Sequence, residues 1–196
     1  MNMGRVYIVR HGNTFDKGDM ILRVGGRTDL PLSKSGKLQA ESLSKAFRDI
    51  EFSAAFSSDL KRTRETAEEI LGEQAYALAD FLTEIDYGPD EGKPEQEVIT
   101  RLGQDAIDKW DSEALAPEGW HVDVAGLRSA WQAFLASCDP HANTVVVTSN
   151  GVARFLLDVV KCDRSVPLKL RTGSYGVVEL EATGPVLLDW NVRPEG

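Results

Sequence analysis

Five consecutive residues, Arg10-His11-Gly12-Asn13-Thr14, follow directly on the apolar run Val6-Tyr7-Ile8-Val9. Arginine brings a permanent charge and a planar fork of donors that fits phosphate oxygens. Histidine titrates near neutrality, and its neutral ring is a nucleophile. Glycine removes the Cβ that would keep a ligand away from the backbone. At the point where a buried strand opens into a loop, these types suit phosphate handling. Two other strand ends carry comparable groups: Ser57-Ser58 ahead of Arg62, and Ser149-Asn150-Gly151. An acidic segment from Glu84 to Glu91 adds carboxylates that could move protons.

Bringing those loops to one pocket requires a parallel sheet, which binds ligands beyond the carboxyl ends of its strands. Val6 to Val9 is apolar on both faces, as a central parallel strand should be. Ser33 is a good N-cap for a helix whose apolar face is Leu43, Ala46, Phe47 and Ile50. Phe52 to Phe56 reads as a second strand, Leu60 to Leu71 as a helix stopped by Gly72, and Ala75 to Ala79 as a weaker strand. Alternation then lapses over about 83–122. Glycines and prolines punctuate a loop there, and Ile99, Leu102, Ala106 and Trp110 make one helical stripe. That segment reads as a helical lid insertion, of the kind that shapes a ligand site.

Beyond it, Leu127 to Cys138 lines a helix and Thr144 to Thr148 is a β-branched strand. A helix carrying Phe155, Leu156 and Val159 follows. Tyr175 to Leu180 and Val186 to Trp190 form an antiparallel pair joined through Gly184-Pro185. The expectation is one α/β domain over residues 1–196. It has three α/β/α layers and a mostly parallel sheet with an antiparallel edge.

Composition narrows the partners. A net charge of −9 argues against nucleic acid or an anionic membrane, which are met by extended basic surfaces. A small phosphorylated metabolite is still allowed, since a few arginines focused in one cleft outweigh a distant acidic exterior. The start lacks a signal-peptide pattern and no apolar run approaches a bilayer span, so a cytoplasmic location is expected. Cys138 and Cys162 form no CxxC pair, so neither a disulfide framework nor a zinc site is indicated. Oligomeric state is left open.

The ordered motifs carry a resemblance. Arg10-His11-Gly12-Asn13-Thr14 is followed by Gly26-Arg27-Thr28-Asp29-Leu30-Pro31-Leu32 with Gly36 and Gln39-Ala40. Then come Ser57-Ser58-Asp59-Leu60-Lys61-Arg62-Thr63 with Thr66-Ala67-Glu68, Glu84 and Gly88, Glu91-Gly92, and Val145 to Gly151. In this order they resemble the histidine phosphatase superfamily, which includes the phosphoglycerate-mutase-like phosphatases. The resemblance implies that fold and a phosphoric monoester hydrolase. His11 would attack phosphorus and become a phosphohistidine that water hydrolyses. Arg10 and Arg62 would clamp the phosphoryl oxygens. Glu84 would protonate the leaving alkoxide and then activate water. Gly12, Asn13, Thr14, Lys17, Asn150 and Gly151 would complete the phosphate-binding set. No cofactor and no metal are implied, because the arginines supply the positive charge.

Two positions depart from the family pattern. The second active-site histidine is replaced by Asn150, and Lys17 stands where an asparagine is common. Asn150 offers a neutral donor in place of an imidazolium, so a reduced rate is expected. A swap of roles with His121 is one alternative, and a surface or packing histidine there is the preferred one. Asn150 holding a left-handed turn, and Arg62 pairing with Asp59 or Glu65, are the structural alternatives at those positions. Glu91 is read as lid structure, and Trp110, Trp120, Trp131 and Trp190 as packing. The functional alternatives are a catalytically weak phospho-ligand binding protein, a phosphomutase, and a phosphoprotein phosphatase.

Overall fold

The structure is a computed structural model that describes residues 3–163 and 165–194. Its sheet is built outward from β1 (Arg5–Arg10), whose Val6, Ile8 and Val9 are wholly buried. β2 (Ala54–Ser57), β3 (Ala77–Leu78) and β4 (Thr144–Thr148) run parallel to it, in the spatial order β3-β2-β4-β1. β5 (Tyr175–Glu181) and β6 (Gly184–Val192) extend the sheet antiparallel beyond β1. Arg10 lies opposite Thr148 and Ser57 opposite Val147, so β1, β4 and β2 finish level. The three loops that follow therefore leave from one end of the sheet.

Side-chain alternation sorts the core into two faces. Tyr7, Val9, Val145 and Val147 pack with Leu43 and Ala67 on one side. Val6, Ile8 and Val146 pack with Trp131, Phe134 and Phe155 on the other. Each buried aliphatic or aromatic side chain contributes about 1.5–3 kcal/mol. A one-residue slip of β1 would exchange the two sets, so packing fixes its register and with it the direction of His11.

α1 (Lys34–Ala46) begins where expected: Ser33 Oγ accepts from Gly36 N at 3.2 Å. Asp16 reinforces the start by accepting from Ser35 N at 2.9 Å, and those Ser35 bonds with Ser33 hold its carboxyl down to about 2. The helix is shorter than its apolar stripe, because Phe47 caps it and Ile50 lies beyond. α2 (Lys61–Leu71) ends at Gly72, whose φ of 59° is glycine's region. The Ala75–Ala79 strand shrinks to two exposed residues.

Over 83–122, the single expected helix is two. α3 (Glu95–Leu102) and α4 (Gln104–Glu113) break at Gly103, where φ is 84° and ψ is 149°. Tyr87, Val98, Ile107, Trp110 and Trp120 from this segment belong to the same buried cluster as Ile8 and Phe155. It is part of the core. α5 (Val124–Ser137) starts on Asp123, which accepts from Gly126 N at 2.9 Å. After β4 only α6 (Asn150–Ala153) is α-helical. A 3-10 turn over Arg154–Asp158 replaces the rest of the expected helix, and Val159 falls outside it.

Among the described residues, no helix is long and apolar enough to cross a membrane.

Candidate functional site

A cavity of about 440 Å³ opens at the sheet end where β1, β2 and β4 finish. Arg10, His11, Arg62, Glu84 and Asn150 all line it. The loops have brought together every residue to which the sequence assigned catalysis.

His11 is buried, and its Nδ1 lies 2.7 Å from the carbonyl oxygen of Gly12. A carbonyl can only accept, so Nδ1 carries the proton and Nε2 keeps its lone pair. Arg62 Nε donates to that Nε2 at 3.2 Å. Burial, then Arg62, then Arg10 hold the imidazole well below its ordinary pKa of 6.5. The ring is therefore neutral at physiological pH, with its unprotonated nitrogen facing a cation.

Arg62 is buried at the first turn of α2, where Nη1 and Nη2 donate to the carbonyls of Thr28 at 2.9 Å and Gly25 at 3.1 Å. Its expected local partners are engaged elsewhere. Asp59 pairs with Arg64 at 3.1 Å, and Glu65 accepts from Leu32 N at 2.9 Å. Arg10 Nη1 donates to Leu170 O at 2.8 Å, while its buried Nε has no partner among the described residues. An unpaired buried donor costs about 1–3 kcal/mol, a deficit that an anionic oxygen removes.

Glu84 is buried at the start of the 83–122 segment, accepting from Ile85 N at 3.0 Å and from Gly151 N at 3.3 Å. The second bond explains Gly151: a Cβ there would collide with Glu84 Oε1. Gly12 likewise serves an internal approach, since a Cβ would meet the Gly36 carbonyl and its own N–H goes to Thr66 Oγ1 at 3.2 Å. Neither glycine lines the cavity. Both expected close approaches exist, but towards the protein itself.

Asn150 does not hold a left-handed turn; it opens α6, and among the described residues the positive-φ ones other than glycine are Ala114 and Asn191. Its Oδ1 accepts from Leu170 N at 2.9 Å. That bond fixes the amide orientation and leaves Nδ2 as the donor available to the cavity. Asn13 and Thr14 line the wall. The Asn13 amide is braced, donating to Ser35 Oγ at 3.1 Å and accepting from Thr172 Oγ1 at 2.5 Å. Lys17 is exposed and lies outside the lining, a departure from its expected place. His121 is a surface histidine 3.1 Å from Asp86, also outside it. Glu91 is structural, accepting from Tyr87 N at 3.1 Å.

Several wall residues escape sequence reasoning. Arg23, Glu95, Asp111 and Lys169 come from segments with no motif, and Tyr87 and Trp110 line the same space. Trp110 is thus packing and wall together. No local signal marks the four charged residues, because each looks like an ordinary solvated side chain until the fold turns it inward. Among the described residues, no group of three or more histidine, cysteine, aspartate or glutamate side chains is gathered as a metal would need.

Comparison with known proteins places this geometry. The profile of the "Histidine phosphatase superfamily (branch 1)" matches residues 6–193. Fructose-2,6-bisphosphatase TIGAR B of Danio rerio is 37% identical over 95 residues, 45% of this chain and 37% of that protein. The phosphatase PhoE of Bacillus subtilis, described as uncharacterized, is 36% identical over 102 residues, 50% of this chain and 51% of that one. The chain thus spans between about a third and about half of the length of these curated relatives. The solved structure of a mycobacterial glucosyl-3-phosphoglycerate phosphatase superposes with a TM-score of 0.79 at 20% identity, covering 96% of this chain and 99% of that one. That likeness establishes the fold.

Proposed function

Because the chain belongs to the histidine phosphatase superfamily, branch 1, we propose that it hydrolyses a small-molecule phosphomonoester through a phosphohistidine on His11, without a metal ion. The observation that carries this reading is the state of His11. Its Nδ1–H is tied to Gly12 O at 2.7 Å, and Nε2 is left unprotonated in a cavity with two arginines and a carboxyl group.

In the first half-reaction, Nε2 attacks phosphorus as the bond to the ester oxygen breaks. Glu84 gives a proton to the departing alkoxide. Arg62 exchanges its bond to Nε2 for phosphoryl oxygens, and Arg10 supplies its unpaired Nε. Both then stabilise charge where it develops. In the second half-reaction, water gives a proton to the Glu84 carboxylate and attacks the phosphohistidine, releasing inorganic phosphate and restoring both residues. Asn150, Asn13 and Thr14 contribute neutral contacts to the phosphate, and the 83–122 segment is the lid.

The test is turnover of para-nitrophenyl phosphate by the full chain. The parent is expected to be active, His11→Ala to lose activity, and the parent to yield acid-labile phosphoenzyme early in turnover. Undiminished activity in His11→Ala overturns the mechanism. A second reading is carried by Asn150: a phospho-ligand binding protein that lacks the charged second donor. It predicts an inert parent and activity that emerges only in Asn150→His.

A further inference from the structure

Beyond the two arginines and Glu84 on the floor, the charged side chains among the described lining residues are Arg23, Glu95, Asp111 and Lys169. They form two opposite-charge pairs. Arg23 Nη2 donates to Glu95 Oε1, and Lys169 Nζ donates to Asp111 Oδ2 at 2.8 Å. Each cation in this part of the cavity therefore stands beside its own carboxylate, although the buried Nε of Arg23 has no hydrogen-bond partner among the described residues.

Arg23 and Asp111 are each held from behind, while the Lys169 ammonium is about half exposed. The Arg23 guanidinium lies over the rings of Tyr87 at 5.2 Å and Trp120 at 4.9 Å, which fixes it against the lid. Asp111 is held from behind by Arg154, 3.8 Å from Oδ1, and Arg154 itself is buried over Trp110 at 4.0 Å without lining the cavity. An anion reaching Arg23 or Lys169 would meet Glu95 or Asp111 at close range, and like charges there oppose binding. Hydroxyl groups fit both sides of each pair, because each donates one hydrogen and accepts through its oxygen. Phe15, Ile21, Leu22 and Val24 in the lining supply apolar area for the carbon skeleton.

We propose that the substrate is a monophosphate with an uncharged, hydroxyl-bearing leaving group, a sugar or polyol, and that Glu95 and Asp111 reject leaving groups carrying a carboxylate or a second phosphate. This rests on the phosphatase reading and narrows it.

Matched substrates test the rejection: glycerol 3-phosphate against 3-phosphoglycerate, and glucose 6-phosphate against glucose 1,6-bisphosphate. The parent is expected to favour the neutral-ended member of each pair by about tenfold or more in kcat/KM. In the double variant Glu95→Gln/Asp111→Asn that ratio is expected to fall towards one. Being a ratio within one protein, it is insensitive to a general loss of active enzyme. Equal or better handling of the doubly anionic members by the parent, or an unchanged ratio in the variant, overturns the proposal. Calorimetric binding of the same pairs to His11→Ala reads the preference without turnover. A selective but inert protein would sink the phosphatase reading alone, and an active but unselective one would sink only the substrate class.

Discussion

The Asn150 amide is divided, with one half bound within the fold and the other open to the cavity. Oδ1 holds the backbone N–H of Leu170 at 2.9 Å, and Nδ2 is the half that a phosphate could use. Asn150→Asp separates the two, because a carboxylate keeps the acceptor for Leu170 while replacing the donor with a negative oxygen. The melting temperature should change little. The kcat/KM for an aryl phosphate should fall about 10²-fold or more, the scale of losing one donor to a developing anion. A variant that melts normally and turns over normally would show that Nδ2 has no part in catalysis. The residue also marks what the sequence could disclose about the site. Its position in the motif was legible, but its orientation was not, since the fixing bond comes from Leu170, twenty residues away on an irregular segment.

Elements were legible wherever a local signal and the core agreed. β4 has the bounds its β-branched run predicts, and α2 stops at Gly72 as expected. Gly103 is the case where local pattern and core pull apart. Ile99, Leu102, Ala106 and Trp110 keep a helical stripe across it, yet the chain turns there so that Val98 and Trp110 both reach the core. With φ 84° and ψ 149°, Gly103 sits near the region open essentially to glycine alone, and a Cβ would meet nothing within 4 Å. Gly103→Ala therefore isolates backbone strain from packing. A loss of about 1–3 kcal/mol is expected in urea unfolding. Glu95 and Asp111 lie on the helices either side, so the kcat/KM ratio between neutral and anionic leaving groups should drift in the same variant. Unfolding as stable as the parent's would show that the break is optional, and that a continuous helix could cover the site equally well.

At the scale of the molecule, an acidic chain of net charge −9 has brought a buried Arg62 and a half-buried Arg10 beside a neutral histidine. Composition showed the first fact, but only the convergence of three strand ends shows the second. Burial lowers the pKa of both Arg10 and Arg62, so their charge is held at some expense to the fold. His11 adds a pH dependence. Its folded pKa lies well below 6.5, so its contribution to stability is complete above 6.5. That contribution declines as pH falls from there towards the depressed value, where the folded ring at last takes up its proton. A tetrahedral dianion on the arginines should act against both effects, neutralising their repulsion and raising the pKa of the ring. Sulfate is the suitable probe because its charge is constant over this range. It should raise the melting temperature by mass action, and it should flatten the fall in stability below pH 6.5. Sulfate also stabilises proteins generally, so Arg62→Gln provides the reference. In that variant the general rise should persist while the change in pH slope is lost. The same flattening in both proteins would mean that the anion does not act through this cavity, and that the charge gathered at the end of the sheet is not there to hold a phosphoryl group.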